Sequence, residues 1–181
     1  IGGTGTGKTN CLLNFINKSD KTFEHIVICS RGVTEPIYEF LKSELGKLGK
    51  ISFFTIDSMP TVDQMKTLME NEKDQYLIVF DDLIADLAGA SKAVQGKMNA
   101  YFTVGRKLKC TMMFLSQSYF KIPKLIRLQL AYFFMLKLNS TRDLNLISRD
   151  CAVGVPHEQL LQMYRQATER PQTHTEAGGV P

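Results

Sequence analysis

Short apolar runs alternate with amphipathic stretches along most of the chain. His25–Ser30 (HIVICS), Ile51–Ile56 (ISFFTI), Tyr76–Phe80 (YLIVF), Lys109–Leu115 (KCTMMFL) and Tyr132–Leu138 (YFFMLKL) are rich in β-branched, aromatic and other apolar residues with few interruptions. Such runs suit strands covered on both faces, because a strand with one wet face alternates apolar with polar. Between them lie helical patterns over Thr9–Asn17, Pro36–Leu45, Asp63–Glu72, roughly Ser91–Val104, Pro123–Leu130, Thr141–Ser148 and His157–Gln166. Strand and helix in alternation predict an α/β fold, a mostly parallel central sheet flanked by helices on both faces.

Composition supports that picture. A length of 181 residues suits one domain. With 44% hydrophobic and 22% charged residues the chain is globular and not disordered. No apolar run approaches the ~20 residues of a membrane-spanning helix. The chain opens on a glycine-rich loop and not on a basic-then-apolar stretch, so no secretory signal is expected. The net charge of +4 permits a nucleic-acid partner without requiring one. Cys11, Cys29, Cys110 and Cys151 form no CxxC pair and read as reduced core residues of an intracellular protein. The small, polar stretch Ala88–Gly96 is expected to be a mobile loop. The domain is expected to run over residues 1–167 and a flexible polar tail over 168–181.

The strongest chemical signal is Gly2-Gly3-Thr4-Gly5-Thr6-Gly7-Lys8-Thr9, a full match to the phosphate-binding pattern G-x-x-x-x-G-K-[ST]. Glycines let backbone wrap around phosphates where a Cβ would clash. The loop N–H groups and the following helix N-terminus offer partial positive charge to an anion. Lys8 is expected at the β- and γ-phosphates and the Thr9 hydroxyl on Mg²⁺. Because the loop starts at Gly2, the strand expected to feed it lies upstream of Ile1, and the sequence reads as a fragment.

A second signal is Tyr76–Asp82 (YLIVFDD), an apolar strand ending in two acids. The carboxyl ends of strands are where open α/β sheets bind ligands. Asp81 then suits Mg²⁺, and Asp82 suits orienting or deprotonating a water. The plainer alternative is an acidic cap on a following helix. Third, Arg106 and Gln117 flank the strand Lys109–Leu115. Gln117 at the carboxyl end could bond both a γ-phosphate and the lytic water. Arg106, at the other end, could reach a neighbour's nucleotide as an arginine finger. Spacing alone favours a capping Gln and a solvated Arg.

Taken together, GGTGTGKT, YLIVFDD and GRKLKCTMMFLSQ resemble the FtsK/HerA-type ATPases, and above all the genome-packaging ATPases of large DNA viruses. The stretch Ile122–Leu146 is similar to the same family, and the likeness runs from Gly2 to about Asp150. The resemblance implies a P-loop three-layer sandwich and a ring of five or six copies that hydrolyses ATP between subunits and drives double-stranded DNA through its centre. It implies a cytoplasmic or virion-associated protein with a capsid protein as a possible partner and no membrane. Carried over by position, Gly2 to Thr9 hold ATP, and Thr9 and Asp81 hold Mg²⁺. Asp82 stands where many members have a catalytic Glu, Gln117 is the γ-phosphate sensor, and Arg106 is the finger. Asp82 departs from that pattern by one methylene, which would bring the water closer.

Between Leu87 and Arg142 the chain has no acid and many Lys and Arg. That stretch suits sequence-independent phosphate contacts, with Lys97, Lys121 and Lys124 as the candidates, or equally an ordinary solvated face. Two other function classes share the phosphate loop: a small-molecule kinase and a nucleotide-dependent assembly switch. The kinase lacks an Arg-rich lid in this sequence. The switch shares its site with a motor.

Overall fold

The computed structural model describes residues 1–19, 22–31, 36–46, 50–69, 74–83, 92–151 and 154–169. In chain order the elements are α1 (Lys8–Lys18), β1 (His25–Ser30), α2 (Pro36–Leu45), β2 (Ile51–Phe54), α3 (Val62–Leu68) and β3 (Tyr76–Asp81). There follow α4 (Lys92–Val104), a 3₁₀ turn (Gly105–Leu108), β4 (Cys110–Leu115), α5 (Lys124–Arg127), α6 (Thr141–Cys151) and α7 (His157–Thr168). The strands form one parallel sheet in the order β2-β1-β3-β4. β3 lies at its centre, with Ser30 and Leu115 level with Asp81 on either side.

The strand sequences explain the layering. Successive side chains point to opposite faces. On one face Ile26, Ile28, Leu77, Val79 and Leu115 pack with Leu12 of α1 and with Tyr38 and Leu41 of α2. On the other, Val27, Cys29, Ile78, Phe80 and Cys110 pack with α3 and α4 and with Ile126 and Ile147. Phe80 anchors this second layer, with ring centroids 5.7 Å from Tyr101 and 5.5 Å from Phe102. The continuous apolar character of β1 and β3 thus serves two cores, and the expected helix–sheet–helix sandwich is what forms.

Tyr132–Leu138 departs from the strand expectation. It belongs to no ladder of the sheet. Its backbone partners are few: Ile1 N–H donates to Phe134 at 2.7 Å, Leu136 N–H donates to Ile1 at 2.8 Å, and Gly3 N–H donates to Lys137 at 2.9 Å. Leu138 N–H goes to the hydroxyl of Tyr164 at 2.7 Å. On the other side Gly2 N–H donates to Ser116 at 3.1 Å, so the chain enters the glycine loop between the end of β4 and this segment.

Of the stretch expected as a mobile loop, Lys92–Gly96 is the start of α4, and residues 88–91 lie outside the described residues. Of the expected tail, Thr168 closes α7, and residues 170–181 also lie outside them. Cys29 and Cys110 are buried as expected. Cys11 is half-buried, whereas Cys151, at the last turn of α6, is exposed and is no core residue. No helix among the described residues is long and apolar enough to cross a membrane.

Candidate active site

The glycine loop owes its path to two requirements. Gly7 caps α1 in the left-handed region, at φ 85°, where a side chain is disfavoured. Gly3 is pressed against Asn139, whose Nδ2 would lie 2.6 Å from a Cβ built there. The Thr6 hydroxyl and the Lys8 ammonium each donate to the Gly3 carbonyl at 2.8 Å, which folds the loop around that oxygen and keeps Lys8 Nζ inside it. α1 has no acid in its first turn and no side-chain cap, so its first N–H groups and positive dipole end face the loop. Such an arrangement can hold an anion.

Asp82 follows β3 directly. Its φ of 50° is the left-handed region, entered by few residues other than Gly and most readily by Asn and Asp. Its N–H donates to Leu115 at 3.3 Å and its Oδ2 accepts from Gln117 Nε2 at 3.0 Å. The other end of the same amide, Gln117 Oε1, accepts from the Thr4 hydroxyl at 2.9 Å. One carboxamide therefore joins the glycine loop to the acid at the end of β3. Residues distant in sequence meet because β3 and β4 are parallel neighbours and end together.

Asp81 lies beside this junction but faces another partner. It is buried, and Tyr38 of α2, itself fully buried, donates its hydroxyl to Asp81 Oδ2. Thr9 is half-buried in the first turn of α1. The structure thus joins Thr4, Gln117 and Asp82, with Lys8 and Thr6 on Gly3, and sets Asp81 against α2. Arg106 sits in the 3₁₀ turn before β4, at the strand end opposite Gln117, and its side chain lies outside what is described. Lys97 holds the carbonyls of Met59 at 2.7 Å and Asp57 at 3.3 Å, which makes it a brace between α4 and the loop after β2. Lys121 and Lys124 are exposed.

Sequence reasoning missed Tyr38, Asn139 and Asp143. Tyr38 and Asn139 carry no local signal, since their partners are far away in sequence. Asp143 follows Ser140 at the spacing of a helix cap, a readable cue for the start of α6 but not for the partner of its carboxylate.

Two Variola virus proteins, each named DNA packaging protein OPG160 and one from isolate Human/India/Ind3/1967, are 23% identical to this chain over 173 residues. The match takes in 90% of this chain and 60% of theirs, so the chain spans well under the full length of these relatives. Among solved structures, the cytoplasmic domain of EssC aligns with a TM-score of 0.57 at 14% identity, over 93% of this chain and 42% of that one. EssC (ATPases 2 and 3) from Geobacillus thermodenitrificans aligns with a TM-score of 0.50 at 11% identity, over 91% and 43%. Those likenesses bear out the α/β fold expected from the FtsK/HerA resemblance. The model of the poxvirus A32 protein family matches residues 1–174, and the chain belongs to that family.

Proposed function

We propose that this chain hydrolyses ATP and that the hydrolysis drives double-stranded DNA, as a ring motor packaging a viral genome. What carries the reading is the Gln117 side chain, bonded at once to Thr4 of the phosphate loop and to Asp82. A γ-phosphate seated in the loop competes for Thr4 and Gln117, so the presence of that phosphate is felt at the acid. The relatives named as DNA packaging proteins support DNA as the substrate.

In this reading Lys8 and the α1 N-terminus bind the β- and γ-phosphates. Asp82 takes a proton from water while the water oxygen attacks the γ-phosphorus, and the bond to the bridging oxygen breaks to release ADP. Gln117 orients that water. The acid is pre-set by a backbone conformation that costs of order 1 kcal/mol and that the Gln117 and Leu115 bonds hold in place.

The donor set fits Mg²⁺. The Thr9 hydroxyl and the Asp81 carboxylate offer hard oxygens at the phosphate-loop end of the sheet. That suits an ion carried mainly by the nucleotide's own phosphates with one or two carboxylates. When bound, Mg²⁺ neutralises charge on the phosphates. Arg106, at the far end of β4, is assigned to the site of a neighbouring subunit.

The test is ATP hydrolysis by the protein with and without duplex DNA. DNA should stimulate turnover, and Asp82→Asn should keep nucleotide affinity while losing about 100-fold or more in kcat. Turnover that ignores DNA and needs a phosphoryl acceptor would replace the motor with a kinase.

A further inference from the structure

α6 starts with Ser140 as its cap, whose Oγ accepts from the Asp143 N–H at 3.2 Å. An acid three residues after a capping serine ordinarily turns back toward the serine's own N–H. Asp143 is used differently. Its Oδ1 accepts from the Phe120 N–H at 2.8 Å and from the Ser118 hydroxyl at 3.1 Å. The residue is 2% exposed, and a carboxylate out of water is tolerated only where hydrogen bonds replace its hydration. Both donors come from the loop immediately after Gln117, and the positive end of α6 adds to their effect.

The neighbours tighten the same grip. Arg142 stacks its guanidinium 3.5 Å from the ring centroid of Phe120, so adjacent residues of α6 hold the backbone and the ring of one loop residue. Asn139, just before the cap, packs against Gly3. Residues 139–143 therefore touch both the glycine loop and the loop that carries Gln117. The first of these bonds one end of the Gln117 amide, and the second carries Gln117 itself.

We propose that Asp143 is a positioning residue: it clamps the Ser118–Phe120 loop to α6 so that Gln117 stays set across Thr4 and Asp82. The inference rests on the hydrolytic reading of that site. Asp143 is bonded to the loop beyond Gln117 and not to the glycine loop, so its removal acts on turnover and spares nucleotide affinity.

The experiment measures nucleotide Kd and single-turnover hydrolysis for the wild-type protein and its variants. Asp143→Ala should lower the hydrolysis rate by about 10-fold or more with Kd held within about 2-fold. Asp143→Asn, whose amide oxygen still accepts both bonds, should recover most of the rate. In a Gln117→Ala background Asp143→Ala should change the remaining rate by less than about 2-fold, because the two act as a unit. If Asp143→Ala does not fold, Ser118→Ala removes one of the two loop bonds. It should cost about 3-fold in rate with Kd unchanged. A loss that appears in Kd, or equal fold-losses with and without Gln117, overturns the positioning role while leaving the hydrolytic reading intact. A wild-type protein that binds ATP and never cleaves it overturns the reading of the site, and the role of Asp143 with it.

Discussion

At the carboxyl end of the sheet the chain places Ser30, Asp81, Asp82, Ser116 and Gln117, whereas at the amino end of the same strands it places His25, Tyr76 and Cys110. Bonds at the first end cross between distant segments: Gln117 reaches Thr4 and Asp82, Tyr38 reaches Asp81, and Asp143 reaches Ser118 and Phe120. At the second end, contacts join neighbouring strands and a strand to the turn before it. His25 meets Ser52 at 2.8 Å across neighbouring strands, and the Cys110 thiol meets the Leu108 carbonyl at 3.5 Å. In backbone strain the two ends are alike, with Asp82 leaving β3 at φ 50° and Lys109 entering β4 at φ 56°. The difference in bonding follows from parallel topology. α1 presents its N-terminus at the carboxyl end, so phosphate chemistry collects there. A six-residue strand such as β4 is about 20 Å long. Arg106, on the amino side of β4, is set off from Gln117 by about that length, which is why we give it to a neighbouring subunit's site.

The largest effect expected from this two-ended arrangement is that of Arg106→Ala. An arginine finger is worth about 1000-fold or more in turnover, and its loss leaves the protomer's own phosphate loop intact. Nucleotide Kd should therefore hold while hydrolysis collapses. Mixing with Lys8→Ala subunits should restore part of the rate, because each defective protomer then supplies what its neighbour lacks. Weakened ATP binding by isolated Arg106→Ala protomers would bring Arg106 back to its own site and remove the contrast between the ends.

Lys8→Ala tests the carboxyl end alone. Lys8 Nζ lies on the Gly3 carbonyl, inside the loop that a phosphate would fill. Two charge-assisted contacts at about 1.5–3 kcal/mol each imply at least about 100-fold weaker nucleotide binding. Thermal stability without nucleotide should stay close to that of the wild type, since the lysine bonds a backbone carbonyl and no buried charge. Retained affinity, measured by titration calorimetry, would show that the loop is not where the anion sits.

How much of this could be read from the chain depended on the range of the contacts. The ends of β1 and α2 are legible residue for residue, because hydrophobic pattern and local capping are short-range properties. Placing Asp82 near Gln117 is also legible, since both close parallel strands. Tyr132–Leu138, expected as a strand, joins no ladder, and its backbone bonds go to Ile1 and Gly3. Lys97 looked like a free cation in a basic stretch, yet Asp57 and Met59 occupy it through backbone carbonyls, which have no sequence signature. Arg127 is likewise drawn inward, to Asp150 and to the Tyr119 ring at 5.0 Å. Asp143 stands where a helix start often carries an acid, and only the fold brings the Ser118 loop to it.

The smallest effect concerns the amino end. Burial pushes the Cys110 thiol from its usual 9.0 up to about 11. Desolvation disfavours the thiolate, so the folded protein keeps this proton where the unfolded chain gives it up. Stability is then fully present below about pH 9 and falls as pH rises toward 11, because the unfolded state binds fewer protons in that window. Burial raises the Tyr101 hydroxyl in the same direction, within the same core cluster, so the decline continues at higher pH. Cys110→Ala removes the thiol's share. Denaturant melts at pH 7, 9 and 10 should show a shallower alkaline loss in the variant than in the wild type. Thiol labelling at pH 8 gives the matching kinetic order, with exposed Cys151 reacting well before buried Cys29 and Cys110. Identical alkaline slopes with and without the thiol, or rapid labelling of Cys110, would mean that water reaches the amino end of β4. That edge of the sheet would then be open, and the packing of Cys110 in the Phe80 cluster would not hold.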